Sequence, residues 1–551
     1  MDPAPVTRHP FPGTVTRHPA PCLWEAALKP LIFALLLTIS LNLSTPGQRL
    51  QPRATLDKAN VTRLEQMIPA LMTEADIPGL SIAVISDSKV VWTHAFGVTN
   101  SDTKTPVNAN TVFEAASLTK PVFAYAVLKL VDSGKLDLDT PLVKYLPGRY
   151  DVGDDPRLDQ ITARHVLSHT TGFPNWRPRG SATIKIFFTP GDHFSYSGEG
   201  FVYLSKVVEH ITGEPTDAFV KRTVFDPLEM KSSSLVWRND YESLKVFNHD
   251  WAGGVSGRGK PEKPNAAASL HTTANDYANF VIAMLKGTGL KPATARLMLT
   301  PQSTVTSAGA FNLNTPDAKL ANNVQWGLGW GLEKTEDGMA FWHWGDNGDT
   351  KAFVIASPHR KTGLVMFANS ANGLAIINEL VATAMGKDQP ALAWLNLEQH
   401  DSYARQLLKS IIKSDAETAL ADYRARRAVS ETSKAKDQSP KTEYSSTSGS
   451  TSIKTKDPSP KPSDFVALTE NQMNTLGYQM IRLKRVKDAI AVFKQNTVDF
   501  PNGFNTWDSL AEGYMIDGDK ESAIKFYKKS LELNPDNTNA VEKLKELSAP
   551  K

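Results

Sequence analysis

A serine and a lysine three residues apart are the strongest chemical signal in this chain. Ser117 and Lys120 lie in the segment EAASLTKP, residues 114–121. Residues three apart at a helix start share one face, so the lysine amine can reach the serine hydroxyl. Serine becomes a nucleophile when a neighbouring base takes its proton, and a lysine can be that base if burial favours its neutral form. Taken alone, however, the four residues Ser117–Lys120 are more typical of a capped helix with a solvated lysine.

The elements that must position this pair predict an α+β fold. Apolar runs at Ser81–Ile85 and Val90–Phe96 flank the polar tetrapeptide SDSK, a pattern typical of a hairpin. A helical pattern that ends at Gly134 follows the serine and lysine. Strand-like runs return at Ala352–Ile355 and Leu364–Ala368. Strands at both ends with helices between them favour α+β over a βαβ array.

The pair also belongs to an ordered series of sequence blocks between about residues 56 and 385. In chain order these blocks are IPGLSIAVI, TVFEAASLTK, GKLDLDTPLVKYLP, ITARHVLSHTTGFP, TPGDHFSYSGEGFVYLSKVVEHITG, VFDPLEMKSSS, ASLHTTANDYANFV and WGLGW. Together they resemble the serine hydrolases of the class C β-lactamase and penicillin-binding-protein family. The resemblance implies an antiparallel sheet flanked by helices, an all-helical subdomain, and Ser117 as nucleophile with Lys120 as its base.

The resemblance assigns a third catalytic residue. The family motif Tyr-x-Asn corresponds here to Tyr196-Ser197-Gly198, so Tyr196 is expected to move a proton between nucleophile and leaving group. The alternative for Tyr196 is a buried, hydrogen-bonded tyrosine without a catalytic role. Gly198 replaces the asparagine that contacts the amide side chain of β-lactam and peptide substrates in the family. This replacement argues against efficient β-lactam hydrolysis.

The family's Lys-Thr-Gly motif requires a choice between two segments. A literal Lys361-Thr362-Gly363 is present, but the order of the surrounding strands assigns the motif's position to His343-Trp344-Gly345. Histidine occupies this position in esterases and D-aminopeptidases of the family, and His343 is expected to donate a hydrogen bond to a substrate oxygen or to the tyrosine. Gly345 is expected to let the substrate backbone approach the strand. By the same resemblance, the backbone N–H groups of Ser117 and Asp346 form the oxyanion hole.

Other histidines and one tryptophan are further candidates for the site. His165 and His169 are four apart, a spacing that could hold a metal, but structural roles are favoured because the segment matches a family loop. Trp326 is expected near the cleft, although packing is the more common role of aromatic side chains. Neither a metal nor an organic cofactor is implied.

Composition and the N-terminus bear on compartment and partners. The 551 residues predict two or three units, and the formal net charge of +3, spread along the chain, argues against nucleic acid as the main partner. Cys22 is the single cysteine, so no disulfide framework is available. Residues 1–48 are interpreted as a signal peptide around the apolar run Leu31–Leu43, or alternatively as an uncleaved membrane anchor. A periplasmic or secreted protein is expected, in contact with a membrane only through an uncleaved leader.

The C-terminal part divides by composition after a hydrolase domain at residues 56–395. A charged helical extension is predicted at 396–429, and a Ser-, Thr-, Lys- and Pro-rich linker at 430–463. Residues 468–551 resemble tetratricopeptide repeats. The small, aromatic and proline positions of one unit recur 34 residues later, as in Ala489 and Ala523 (523 − 489). Such repeats need about three units to be stable, so neighbouring residues are expected to complete the stack.

Two functions of different classes follow. The first is a serine hydrolase that forms an acyl-enzyme at Ser117 on a small-molecule or peptide substrate. Its candidate substrates are esters, D-amino-acid peptides and β-lactams, with esters and peptides favoured. The alternative is a catalytically inactive, penicillin-binding-like scaffold that binds protein partners through its repeats.

Overall fold

The computed structural model describes residues 58–178, 180–305, 309–311, 313, 323–437 and 465–548. The strands in chain order are Gly79–Ser86 (β1), Lys89–Gly97 (β2), Phe113–Ala116 (β3), Asn248–His249 (β4), Val255–Gly257 (β5), Leu270–Thr272 (β6), Ser303–Thr304 (β7), Val324–Trp326 (β8), Gly331–Thr335 (β9), Gly338–Asp346 (β10), Lys351–Ser357 (β11) and Thr362–Ala368 (β12). Eight of them form one antiparallel sheet in the order β2-β1-β12-β11-β10-β9-β8-β7. The strands β3 and β6 form a separate pair, as do β4 and β5.

The helices of the hydrolase region are Lys58–Glu74 (α1), Thr119–Asp132 (α2), Ala163–Leu167 (α3), Gly198–Thr212 (α4), Thr216–Val220 (α5), Tyr241–Leu244 (α6), Ala274–Lys286 (α7), Pro292–Met298 (α8), Ile377–Ala384 (α9) and Pro390–Leu395 (α10). The helices that follow are Tyr403–Lys413 (α11), Ala416–Asp437 (α12), Glu470–Arg482 (α13), Val486–Asp499 (α14), Phe504–Asp517 (α15), Lys520–Leu533 (α16) and Thr538–Ser548 (α17). The predicted hairpin is confirmed as β1 and β2, and the predicted helix as α2, which is followed by Gly134 at φ +70°.

Both faces of the large sheet are covered by helices. Along β1, Ala83 and Ile85 join a hydrophobic core that includes α2, α4 and α7. The alternate residues Ile82 and Val84 join a second core that includes α1, α9 and α10. Since side chains alternate between the two faces of a strand, this division shows a sheet packed on both sides. The predicted α+β class is therefore confirmed.

The helical tail departs from the predicted boundaries at one point. Helix α12 continues to Asp437, so it includes the first residues of the segment predicted as linker. Glu, Lys and Ala are frequent in that stretch, and their helix propensity allows the last turns of α12 to form. Ser430 Oγ also donates to Phe465 O at 3.0 Å, which links α12 to the segment before α13. The rest of the predicted linker and the whole of residues 1–48 lie outside the described residues.

The tail helices recur with a fixed period. Helix α15 begins 34 residues after α13 (504 − 470), and α16 begins 34 residues after α14 (520 − 486). Side chains of α11, α12, α13 and α14 share one hydrophobic cluster, so the extension before the linker packs with the helices after it. Of the helices described, none is long and apolar enough to cross a lipid bilayer.

Candidate active site

The candidate nucleophile lies where a short strand gives way to a helix. Strand β3 pairs with β6 with an irregularity between Glu114 and Ala116, and Ala116 has φ +48°. This left-handed conformation is uncommon for a residue with a side chain, and such strain occurs at functional sites. The Thr119 hydroxyl donates to Ala116 O at 2.6 Å and accepts from Leu270 N at 2.9 Å, which holds the turn in place. Ser117 follows this turn and is half-buried.

The Lys120 amine is fully buried beside the Ser117 hydroxyl. Its Nζ lies 3.2 Å from Ser117 Oγ and donates to Ala267 O at 2.9 Å. Its Nζ also lies 4.6 Å from the centre of the Tyr196 ring and 5.7 Å from that of Trp176. Burial lowers the pKa of Lys120 well below the ordinary lysine value, because a charged amine loses its hydration there. A neutral amine next to the hydroxyl can accept the serine proton.

Tyr196 is the third candidate at the same point. Its side chain is buried, and its hydroxyl makes hydrogen bonds with Ser117 and, at 3.5 Å, with His343 Nε2. Burial raises the pKa of Tyr196 because a phenolate would be poorly solvated there, so the group is a phenol at neutral pH. The structure thus brings Ser117, Lys120, Tyr196 and His343 together.

The contacts of His343 favour a hydrogen-bond role other than the expected one. Its Nδ1 lies 2.7 Å from Trp344 O, and a carbonyl can only accept, so Nδ1 carries the proton. Burial, and to a smaller extent Lys120 in its protonated form, lowers the pKa of His343 to about 3. The ring is therefore neutral, and its Nε2 has a lone pair instead of a proton. His343 accepts a hydrogen bond from Tyr196 and cannot donate one to the tyrosine or to a substrate through Nε2.

Gly345 has a packing role, and its expected contact with the substrate backbone stays a prediction. A Cβ atom at this position would lie 2.5 Å from Ala115 O and 3.3 Å from Ala116 Cβ. The absence of a side chain thus allows the end of β10 to lie against β3, next to Ser117. The carboxylate of Asp346, the following residue, accepts from Lys351 Nζ at 2.5 Å. An oxyanion hole built from the N–H groups of Ser117 and Asp346 stays a prediction.

The literal Lys361-Thr362-Gly363 lies outside this site. Lys361 is in the turn between β11 and β12, with a largely exposed side chain 4.0 Å from Asp87. Asp346 pairs with Lys351 at the opposite end of β11. Lys361 is therefore separated from the nucleophile by the length of a strand.

A buried ion pair behind the nucleophile was not predicted from the sequence. Glu114 accepts from Lys245 Nζ at 2.8 Å and from Asn248 Nδ2 at 3.0 Å. Burial by itself would raise the pKa of Glu114, but the charges of Lys245 and His271 and these hydrogen bonds outweigh it and lower the pKa to about 2. Glu114 Oε2 also accepts from Asn347 Nδ2 at 3.4 Å. The sequence feature that could have revealed this ion pair is the single carboxylate, Glu114, inside the apolar run TVFEAA.

His169 packs against the tyrosine. Its ring stacks on Tyr196 with centres 4.2 Å apart, and its Nδ1 accepts from Ser197 N at 3.0 Å. His165 closes the first turn of α3, where its Nδ1 accepts from Thr162 N at 3.3 Å. Within the part of the chain that the structure describes, no group of three or more potential metal ligands is found.

Three tryptophans differ in their positions relative to the candidate site. Trp326 is buried with its ring centre 5.9 Å from Tyr196 and 5.6 Å from His343, so it lies beside the cleft as expected. Trp330 instead packs in the core against Phe280. The contact between Trp176 and Gly198 was not predicted from the sequence. A Cβ at Gly198 would lie 2.8 Å from the Trp176 ring, so the indole fills the space next to the glycine.

Comparison with known proteins places the chain in a family. The Beta-lactamase family profile matches residues 64–381, which is more than half of the 551 residues. The matched segment contains β3, the start of α4 and the end of β10, which carry the candidate site. The chain belongs to the β-lactamase family.

Individual relatives are distant and share only part of their length with the chain. Esterase EstB of Burkholderia gladioli is 29% identical over 233 residues, which are 36% of this chain and 58% of EstB. Protein flp of Staphylococcus aureus strain N315 is 22% identical over 326 residues, which are 56% of this chain and 62% of that protein. The chain thus spans less than two thirds of either relative.

Among solved structures, the chain is similar to a class C β-lactamase. The TM-score is 0.52 at 19% identity, and the alignment covers 60% of this chain and 97% of that structure. At this level of identity the similarity concerns the fold, which agrees with the sheet and helix layers described above.

The contact between Gly198 and Trp176 leads to a prediction about packing. We expect Gly198→Ala to lower the free energy of unfolding by about 1–3 kcal/mol, because the added methyl group displaces the indole. In a Trp176→Ala background the same change should cost less than half as much. Urea unfolding followed by circular dichroism measures this double-mutant cycle. Gly200→Ala in the same helix is the matched control, since its Cβ would meet no atom closer than 3.5 Å. Additive effects of Gly198 and Trp176 would contradict the contact.

The two pKa shifts lead to a prediction about pH. The rate at which a fluorophosphonate labels Ser117 should fall as pH falls through the pKa of Lys120, because a protonated amine cannot accept the serine proton. The midpoint should lie below the ordinary lysine value. His343→Gln should leave that midpoint unchanged, because a histidine with a pKa of about 3 is neutral throughout the range. If the midpoint disappears in this variant, His343 is the titrating group and the assignment of Lys120 is wrong.

Proposed function

We propose that this protein is a serine hydrolase that forms an acyl-enzyme at Ser117 and acts on esters. The observation that carries the proposal is the 3.2 Å contact between Ser117 Oγ and a fully buried Lys120 amine. Burial with this geometry supports a neutral base at the nucleophile. The name of the relative EstB, an esterase, supports the choice of esters.

The proposed reaction begins with proton transfer from Ser117 Oγ to Lys120 Nζ as the oxygen attacks the ester carbonyl. The resulting oxyanion is stabilised by the backbone N–H groups of Ser117 and Asp346. Tyr196 gives its proton to the leaving alkoxide and regains one from Lys120. Water then attacks the acyl-enzyme and gives a proton to Lys120, and this proton passes to Ser117 Oγ as the acid leaves. His343 accepts from the Tyr196 hydroxyl before the reaction and orients it.

The charges around the nucleophile favour neutral esters over substrates with a free carboxylate. A pKa of about 3 leaves His343 uncharged where the family's lysine would attract a carboxylate. Trp176 occupies the space beside Gly198, where an asparagine would contact a substrate amide. The Phe311 ring is largely exposed and meets the Tyr196 ring edge to face at 5.9 Å, which adds apolar surface next to the site. These groups suit an uncharged, apolar acyl chain better than a β-lactam or a D-alanyl peptide.

The proposal predicts a ranking of substrates that depends on Ser117. We expect wild-type kcat/KM for p-nitrophenyl butyrate to exceed that for a chromogenic cephalosporin and for a D-Ala-D-Ala peptide by more than tenfold. Ser117→Ala should abolish all of these activities. Ser195→Ala is the matched control: this serine is buried near the site, its hydroxyl has no partner among the described residues, and it has no role in the reaction.

Two results would count against this function. Ester hydrolysis that survives in Ser117→Ala would show that another group is the nucleophile. If neither a fluorophosphonate nor a labelled penicillin attaches to the wild-type protein at any pH between 6 and 10, the inactive scaffold becomes the better interpretation. A cephalosporin rate equal to the ester rate would contradict the proposed preference for neutral substrates.

We further propose that the tail helices are tetratricopeptide repeats that bind a protein partner. The 34-residue recurrence of the helix starts supports this, and so does the close approach at Gly477. A Cβ at Gly477 in α13 would lie 2.2 Å from the Phe493 ring of α14. Small residues at this position let the paired helices of such a repeat approach each other.

The repeat packing is tested at this glycine. Gly477→Ala should lower the free energy of unfolding of the tail by about 1–3 kcal/mol, because Phe493 must move. Gly513→Ala in α15 is the control: its Cβ would lie 3.2 Å from the same ring, and the gain in helix propensity offsets the tighter contact. Urea titration followed by circular dichroism measures both. Equal stability of the two variants would contradict the close packing of α13 on α14.

A further inference from the structure

Helix α13 of the tail contacts the turn between β10 and β11. Arg482, the last residue of α13, donates from Nη2 to Asp349 Oδ1 at 2.8 Å. Its guanidinium lies 4.6 Å from the centre of the Trp251 ring, and a Cβ at Gly348 would be 3.5 Å from it. The arginine thus touches the turn through an ion pair and lies directly against its backbone.

This turn follows Asp346, whose N–H is proposed for the oxyanion hole. Asn347, the first residue of this turn, donates from Nδ2 to Ala268 O at 3.2 Å. Ala268 is adjacent to Ala267, which accepts from the catalytic lysine amine. Within the turn, Lys351 Nζ donates to Asp346 Oδ1 at 2.5 Å and to Gly348 O at 2.6 Å. Asp346 is the last residue of β10 and pairs with Lys351 of β11, so both the strand pairing and this short turn hold its position.

The arginine contact joins a half-exposed guanidinium to a mostly buried carboxylate. The Asp349 side chain is only 15% exposed. The Arg482 guanidinium both pairs with Asp349 and lies against the Trp251 ring. Because both contacts restrict the same planar group, it is held more rigidly than a solvated lysine would be. Trp251 in turn packs against the hydrophobic cluster formed by α11 to α14. The contact is thus continuous with the core of the tail.

We infer that the tail helices are part of the hydrolase site: Arg482 is a positioning residue that, through Asp349, holds the turn that follows Asp346 and with it the Asp346 N–H. This inference rests on the proposed hydrolase function for its kinetic consequence. Its structural consequence, the ordering of the turn, does not depend on turnover. Displacement of the tail by a bound partner would therefore alter the rate of acyl transfer.

The test compares Arg482→Gln with Lys487→Gln in the full-length protein. Lys487 pairs with Asp517 at 2.6 Å within the tail, so Lys487→Gln also removes one cation and one ion pair. Hydrogen exchange followed by mass spectrometry should show faster exchange of the amides of residues 346–350 in Arg482→Gln only. For p-nitrophenyl butyrate, kcat should fall about fivefold to twentyfold with KM within about twofold, because loss of a whole oxyanion donor costs a hundredfold or more and a shifted donor costs less. Arg482→Lys should recover part of kcat.

The partner residue provides the second variant. Asp349→Asn should reproduce both effects, and the double variant should be no slower than either single one, because all three remove the same contact. Unchanged exchange in the turn for both single variants overturns the inference, whatever the activity. A rise in KM with kcat unchanged also overturns it, since that pattern indicates ground-state binding. If the wild-type protein hydrolyses no ester, the proposed function fails, and the exchange comparison still decides the role of Arg482.

Discussion

The burial of the Lys120 amine is the constraint on which the rest of the site depends. An ammonium group enclosed by the rings of Tyr196 and Trp176 loses its hydration, so its charged form becomes costly. The hydrogen bonds of the amine go to Ser117 Oγ and to Ala267 O, and neither oxygen carries a charge that would restore the ammonium form. A lysine at the protein surface would stay protonated and could not act as a base. The aromatic enclosure thus favours the neutral amine that the proposed role of Lys120 as a base requires.

A low-dielectric enclosure of this kind places strict demands on every other polar group nearby. An unpaired charge would disturb the amine strongly, because electrostatic interactions are weakly screened in such a place. The structure meets this demand in two ways. The Glu114 carboxylate is paired with Lys245, and the His343 ring is neutral and bonded to a backbone carbonyl. His169 adds a stacked ring behind Tyr196 and bonds the backbone of the next residue.

Much of this arrangement could be predicted from the sequence, because the relevant residues occur in local patterns. The β1–β2 hairpin follows from alternating apolar runs around a polar turn. Ser117, Tyr196 and His343 were each identified from a short motif with its neighbours. What could not be predicted depends on contacts between distant segments. The proton position on His343 depends on its hydrogen bond to Trp344 O. The place of Trp176 depends on a contact with Gly198, which lies 22 residues later in the chain (198 − 176).

The C-terminal helices also depend on contacts between distant segments that the sequence does not reveal. The sequence predicts a linker at residues 430–463 and a 34-residue period after it, but it could not show that α11 and α12 join the core of the helices beyond that segment. That shared core has a consequence for how such a chain can change over time. Loss of the C-terminal helices would expose the apolar faces of α11 and α12 and uncover Trp251 on the hydrolase side. The hydrolase region and the C-terminal helices are therefore expected to be inherited together, as a single unit of selection.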